Sequence, residues 1–217
     1  MTSTSDQTVP TSNYSNYQKI PRQTNNENSV NIFTNNYDIE ESIQQLLDRL
    51  PGKFIVAGGY ITGLVLNANS DPNRASGDID IFVYGSQQDR ESTIQEITTY
   101  LLRYDFPNYT SVTTKGYLTD INTDKISKPI QIINTDCLNP EMVLQTFDLS
   151  ASMCGIDSDY LYLMNEFLNT IHTEKITMFK NTPQTLERFN KYTERYFTPS
   201  GKVKNTTFGF GTQINFM

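Results

Sequence analysis

Apolar residues first fall into a regular pattern at Ile39, Ile43, Leu46, Leu47 and Leu50, the three- and four-residue spacing of one helix face. Asp38 and Glu41 have the spacing of a capping box at its start, and Pro51-Gly52 stops it. Lys53 and then the unbroken apolar run 54–57 predict a buried strand over 53–57 that ends at Gly58-Gly59. A short helix-like stretch over 60–67 leads through a polar loop, 68–77, to Asp78-Ile79-Asp80-Ile81-Phe82-Val83. There the period drops to two, so this segment reads as a strand with its two carboxylates on one face.

Beyond the turn at Gly85-Ser86-Gln87-Gln88, Ile94, Ile97 and Leu101 mark one face of a helix over 91–104. The β-branched stretch 110–114 predicts a strand, with 117–121 as its partner. Another strand is expected over 129–133, with Pro129 at its first position, where a missing N–H is tolerated. Asn139-Pro140 is an N-cap followed by proline at the first helical position, opening a short helix over 140–145. Strands are expected at 149–156 and 160–164, the second turning back on the first, then a helix over 166–172. Pro183 opens a final helix to residue 196, with Leu186, Phe189 and Tyr196 facing inward. The pattern gives an α/β chain, α+β in stricter usage: a small mixed sheet with packed helices and no internal repeat.

Composition changes this picture mainly at the ends. The 217 residues suit one domain with appendages, and the 36% hydrophobic content is low for a compact chain. Ser, Thr, Asn and Gln make up 22 of the first 36 residues, too few apolar groups to offset ordering entropy. Residues 1–36 are therefore expected to be a flexible head, with Tyr14, Tyr17, Ile20 and Phe33 as its only anchors. Residues 37–198 form the expected domain, and 199–217 a loose tail. No apolar run of about 18 residues is present, so no membrane partner is expected. Cys137 and Cys154 have neither metal-site nor disulfide-framework spacing, which suits buried thiols in a reducing, cytoplasmic setting. The single histidine, His172, reads as structural. The net charge of −7 argues against a broad nucleic-acid surface. Seven Lys or Arg against two Glu from residue 175 onward nevertheless set a basic end on an acidic body.

The chemistry concentrates at two places. Asp78 and Asp80, side by side at a strand start, repel each other, and a divalent cation with oxygen ligands relieves that repulsion. Gly58 and Gly59 offer backbone without side chains at the start of a helix, where N–H groups face an anion. On the last helix Arg188, Lys191 and Arg195 form one basic stripe, although Glu187 stands where it would pair with Lys191.

A strand ending in Gly-Gly before a helix, then Asp-x-Asp-x with apolar x on the next strand, resembles the nucleotidyltransferase fold of the DNA polymerase beta superfamily. The segments Pro129-Ile130-Gln131-Ile132-Ile133, Phe147-Asp148-Leu149-Ser150 and Arg188-Phe189-Asn190-Lys191-Tyr192 are similar to a divergent branch found in phages, large DNA viruses and some cellular genomes. The resemblance runs over 54–197. It implies transfer of a nucleoside monophosphate from an NTP such as ATP, with pyrophosphate released and Mg²⁺ (or Mn²⁺) as cofactor. Asp78, Asp80 and Asp148 are the implied catalytic, metal-binding carboxylates, with Gln131 the rival position for the third. Gly58, Gly59 and Lys191 are the implied nucleotide-binding residues. The acceptor is an RNA end, a protein or a small molecule. The alternative is an inactive module of the same fold that binds a nucleotide or a protein partner. The oligomeric state is left open.

Overall fold

The structure is a computed structural model that describes residues 16–22, 41–50, 52–66, 76–104, 110–123, 126 and 128–196. Its elements run β1 (Tyr17–Pro21), α1 (Glu41–Arg49), β2 (Phe54–Ala57), α2 (Gly59–Val65), β3 (Ile79–Val83), α3 (Gln87–Tyr104), β4 (Thr110–Lys115), β5 (Leu118–Thr123), β6 (Ile130–Asn134), α4 (Pro140–Gln145), β7 (Cys154–Ile156), β8 (Tyr160–Met164), α5 (Asn165–Thr173) and α6 (Pro183–Tyr196). The α+β architecture expected from the pattern is present. The eight strands form one sheet in the order β1-β8-β7-β2-β3-β6-β5-β4, and only the β3–β6 pair is parallel.

Alternation along the central strands divides the sheet into two faces. Ile79, Ile81 and Val83 of β3, with Ile130 and Ile132 of β6, point into the core, where Ile97 and Leu101 of α3 are also buried. Asp80, Phe82 and Gln131 point the other way and are half-buried. β2 is buried on both faces, as an unbroken apolar run requires. α1 contributes Ile43, Leu46 and Leu47 to the core. The capping residue expected for α1, Asp38, lies outside the described residues.

Three expectations are corrected. Residues 17–21, inside the head expected to be flexible, form an edge strand paired antiparallel with β8. Here Arg22 is buried and ion-paired with Asp48, its Nη1 donates to Ser158 O at 3.2 Å, and its backbone N–H donates to Asp159 O. Tyr17 and Ile20, two of the four expected anchors, are half-buried against the core, and the sheet edge and the buried guanidinium add what a count of apolar residues misses. The strand expected over 149–156 forms only at Cys154–Ile156, since Ser150–Ser152 turn as a 3₁₀ segment after Leu149, which is extended and bridged to Met178. Leu186 of α6 is half exposed, and the buried residues of that helix are Thr185, Tyr192 and Tyr196.

Candidate functional site

Sheet register places the two sequence signals together. Ala57, the last residue of β2, pairs with Asp80, so the Gly58-Gly59 turn leaves the sheet beside the Asp-x-Asp segment. Gly58 has φ +79° and ψ −144°, a conformation open to glycine but strained for other residues. A Cβ there would stand 3.5 Å from Asp80 Oδ2. The turn is fixed from inside: Thr62 donates both its N–H and its hydroxyl to Gly58 O, at 2.9 and 3.0 Å. Gly59 opens α2 and admits the phenol of Tyr192, which would lie 3.2 Å from a Cβ at that position. Tyr196 donates to Gly59 O at 3.0 Å. Two tyrosines of α6 thus clamp the turn from the outside.

Asp80 is held in an environment that resists its charge. Burial first, then the neighbouring Asp78, push its carboxyl from 3.8 up to about 7, against the pull of Lys191 and then Arg188. Among the described residues no donor is hydrogen-bonded to this carboxylate. Asp78 accepts from Ser76 Oγ at 3.2 Å. A half-buried carboxylate next to a second one, with cations nearby but none bonded to it, leaves two sets of oxygen donors of the kind a divalent cation takes.

Asp148 stands in the same cleft with different partners. Its Oδ2 accepts from Thr185 Oγ1 at 2.7 Å and from Arg188 Nη2. Burial pushes its carboxyl up, but the bonds from Thr185 and Arg188 outweigh that, and it ionises below the ordinary carboxylate range. Among the described residues no three His, Cys, Asp or Glu side chains group so as to share a metal ion. Gln131, the rival position, pairs in register with Asp80 and donates its amide to Asp120 on the next strand at 3.1 Å. Asp148 and Arg188 are therefore joined to each other, and their ion pair ties α6 to the chain entering the 3₁₀ segment.

A cleft of about 310 Å³ opens here, within the range of small-molecule sites. Gly58, Gly59, Asp80, Asp148 and Arg188 line it. Asp78 and Lys191 are not part of that lining, although both act electrostatically on Asp80. Lys191 is exposed, and the ion pairs among the described residues include Arg188 with Asp148 but not Lys191 with Glu187. The inward placing of Tyr196 holds, whereas Thr185 and Tyr192 on the same helix face were missed. The spacing of these three, seven and four residues, is a legible helix face, but a search for aliphatic residues adds Leu186 instead. Cys137 and Cys154 are buried free thiols that do not line the cleft, although Cys154 O accepts from the N–H of Gly58 at 3.2 Å. Among the described residues no helix is long and apolar enough to cross a membrane.

Fold and cleft define an α+β protein whose mixed sheet carries, on the face opposite Ile79, Ile81 and Val83, an acidic pair beside a glycine turn and a cationic helix. The chain belongs to the Gabija anti-defense 2 family, Gad2, which it matches over residues 24–174. The matched span holds Gly58, Gly59, Asp78, Asp80 and Asp148 and stops short of α6. No curated protein sequence matches the chain significantly. Among solved structures, a complex of a CCA-adding enzyme with CTP is similar at 19% identity and a TM-score of 0.46, over 64% of this chain. The chain spans 33% of that structure's length.

Proposed function

We propose that the cleft binds a nucleoside triphosphate with a divalent cation and transfers the nucleoside monophosphate to an acceptor hydroxyl, releasing pyrophosphate. The observation that carries this reading is Asp80: a carboxylate raised to about 7 by burial and by Asp78, beside a glycine turn with no side chain in the way. Mg²⁺ characteristically takes one or two protein carboxylates and fills its remaining positions with phosphate oxygens and water, so Asp78 and Asp80 suffice to hold it. Bound there, the cation would neutralise phosphate charge and activate the attacking hydroxyl. Gly58 and Gly59 let the triphosphate approach the backbone. Arg188, and Lys191 from outside the lining, oppose its negative charge. In this reading Asp148 holds Arg188 in place and is not a third ligand. Residues 37–198 form the catalytic unit, with β1 as an added strand.

The family's description as Gabija anti-defense directs the search for an acceptor toward the components of that defence, whether an RNA end or a protein hydroxyl. A second reading has its own support. The engagement of Asp148 by Thr185 and Arg188 favours a module that binds a nucleotide and transfers nothing.

The test is incubation of the full chain with each α-labelled NTP, Mg²⁺ or Mn²⁺, and Gabija components or total cellular RNA. Label transfer that disappears in Asp80→Asn supports the enzyme. Nucleotide binding without label transfer or pyrophosphate release supports the binding module.

A further inference from the structure

The cleft extends beyond the carboxylate and the glycines into a stretch of different chemistry. Phe82 lies two residues after Asp80 on the same face of β3, about 7 Å further along the strand at the usual rise per residue. Its ring meets that of Phe147 at 5.1 Å between centroids and a tilt of 54°. Both rings line the cleft, and both are half-buried, so part of this aromatic surface stays open. Beside them lie Thr146 and Lys180, whose ammonium reaches Thr146 O at 3.3 Å. A bare polyphosphate has no use for an aromatic wall at that distance from the acidic pair, whereas a nucleotide places its base one ribose away from its α-phosphate.

We propose that Phe147 and Phe82 form the seat of the nucleobase, with Phe147 offering a ring face for stacking and Lys180 donating to a keto oxygen or ring nitrogen at the base edge. The ligand class is a nucleoside triphosphate, distinguished from inorganic polyphosphate by this wall. The assignment rests on the reading of Asp78 and Asp80 as the phosphate and metal end of the same cleft. Because the two rings already touch each other at a tilt, the base lies against one face and is not sandwiched between them.

Calorimetric titration of the full chain with ATP and with tripolyphosphate, each with Mn²⁺, separates the two ends of the cleft. The wild type is expected to bind ATP on the order of tenfold more tightly than tripolyphosphate, the worth of a modest aromatic stack. Phe147→Leu keeps an apolar side chain but loses the flat ring. It should bring ATP down to the tripolyphosphate level and leave tripolyphosphate binding unchanged, while Phe147→Trp restores the preference. Lys180→Ala, on an exposed side chain outside the core, serves if Phe147→Leu does not fold, and it too should weaken ATP selectively. Equal binding of ATP and tripolyphosphate by the wild type, or an ATP preference untouched by both variants, overturns the base seat alone. Absence of binding by either ligand overturns the phosphate reading and the base seat with it.

Discussion

Replacing Asp80 by Asn should make the protein more stable, and only above acidic pH. The fold resists ionisation of this carboxyl, raising it from 3.8 to about 7, with burial the larger cause and Asp78 the smaller. A raised value means that the folded chain holds the proton more tightly than the unfolded chain does. The associated stability is therefore full below pH 3.8 and is lost as pH rises through about 7. At about 1.4 kcal/mol per pH unit, the interval from 3.8 to about 7 corresponds to roughly 4 kcal/mol, a ceiling because local rearrangement relieves part of it. Asn has nearly the same shape and no charge to suppress. The difference between variant and wild type should thus be near zero at pH 4 and approach that ceiling at pH 8.5, a gain of roughly 10 °C in Tm for a chain of this size. The chain has no tryptophan, so urea and thermal unfolding followed by far-ultraviolet circular dichroism at a series of pH values is the appropriate assay. Parallel pH profiles for the two proteins, or a variant less stable than wild type at pH 8.5, would refute the claim that this carboxylate is held against its preference.

Other expectations follow from neighbouring contacts. Asp148→Asn should cost about 1 kcal/mol at pH 7, a value kept small because the Arg188 side chain is 53% exposed, and urea unfolding that shows no loss would detach α6 from this anchor. Because the Asp148 carboxyl ionises below its ordinary range, its contribution is present above pH 3.8 and should fade as pH falls through that lowered value. Gly58→Ala should destabilise by about 1–3 kcal/mol through backbone strain at φ +79°, and an unchanged Tm would mean that the turn relaxes. Arg22→Ala should cost about 1–3 kcal/mol, because its side chain is 1% exposed while Asp48 remains partly hydrated after the loss. Full stability in that variant would show that β1 adds nothing to the sheet.

The strands and helices of the central sheet were legible because their periods are clean. Asp80 and Phe82 alternate with Ile79, Ile81 and Val83, and this alternation alone tells which face carries the acid. Asn139 caps α4 as read, accepting from the Met142 N–H at 2.9 Å. The pairing of the glycine turn with Asp80 needed the register of β2 on β3, which no local pattern supplies. The partners of Asp148 were hidden for a related reason: Thr185 and Arg188 lie 37 and 40 residues away. On the inward face of α6 Tyr196 is buried and Phe189 half-buried as expected, but Leu186 is exposed, and Thr185 and Tyr192 were overlooked because an apolar count passes over hydroxyl-bearing side chains. The head failed the same count, although β8 offered it an edge to pair with.

The central claim is that Asp78 and Asp80 hold a cation together with a nucleoside triphosphate in this cleft. Titration of Mn²⁺ with ATP into the full chain, followed by calorimetry at pH 8, tests it directly. The wild type should bind Mn²⁺ more tightly with ATP present than without it, and the Asp78→Asn/Asp80→Asn variant, folded by circular dichroism, should lose that binding. Equal binding by the two proteins, or no difference in Mn²⁺ affinity with and without ATP, would contradict the account.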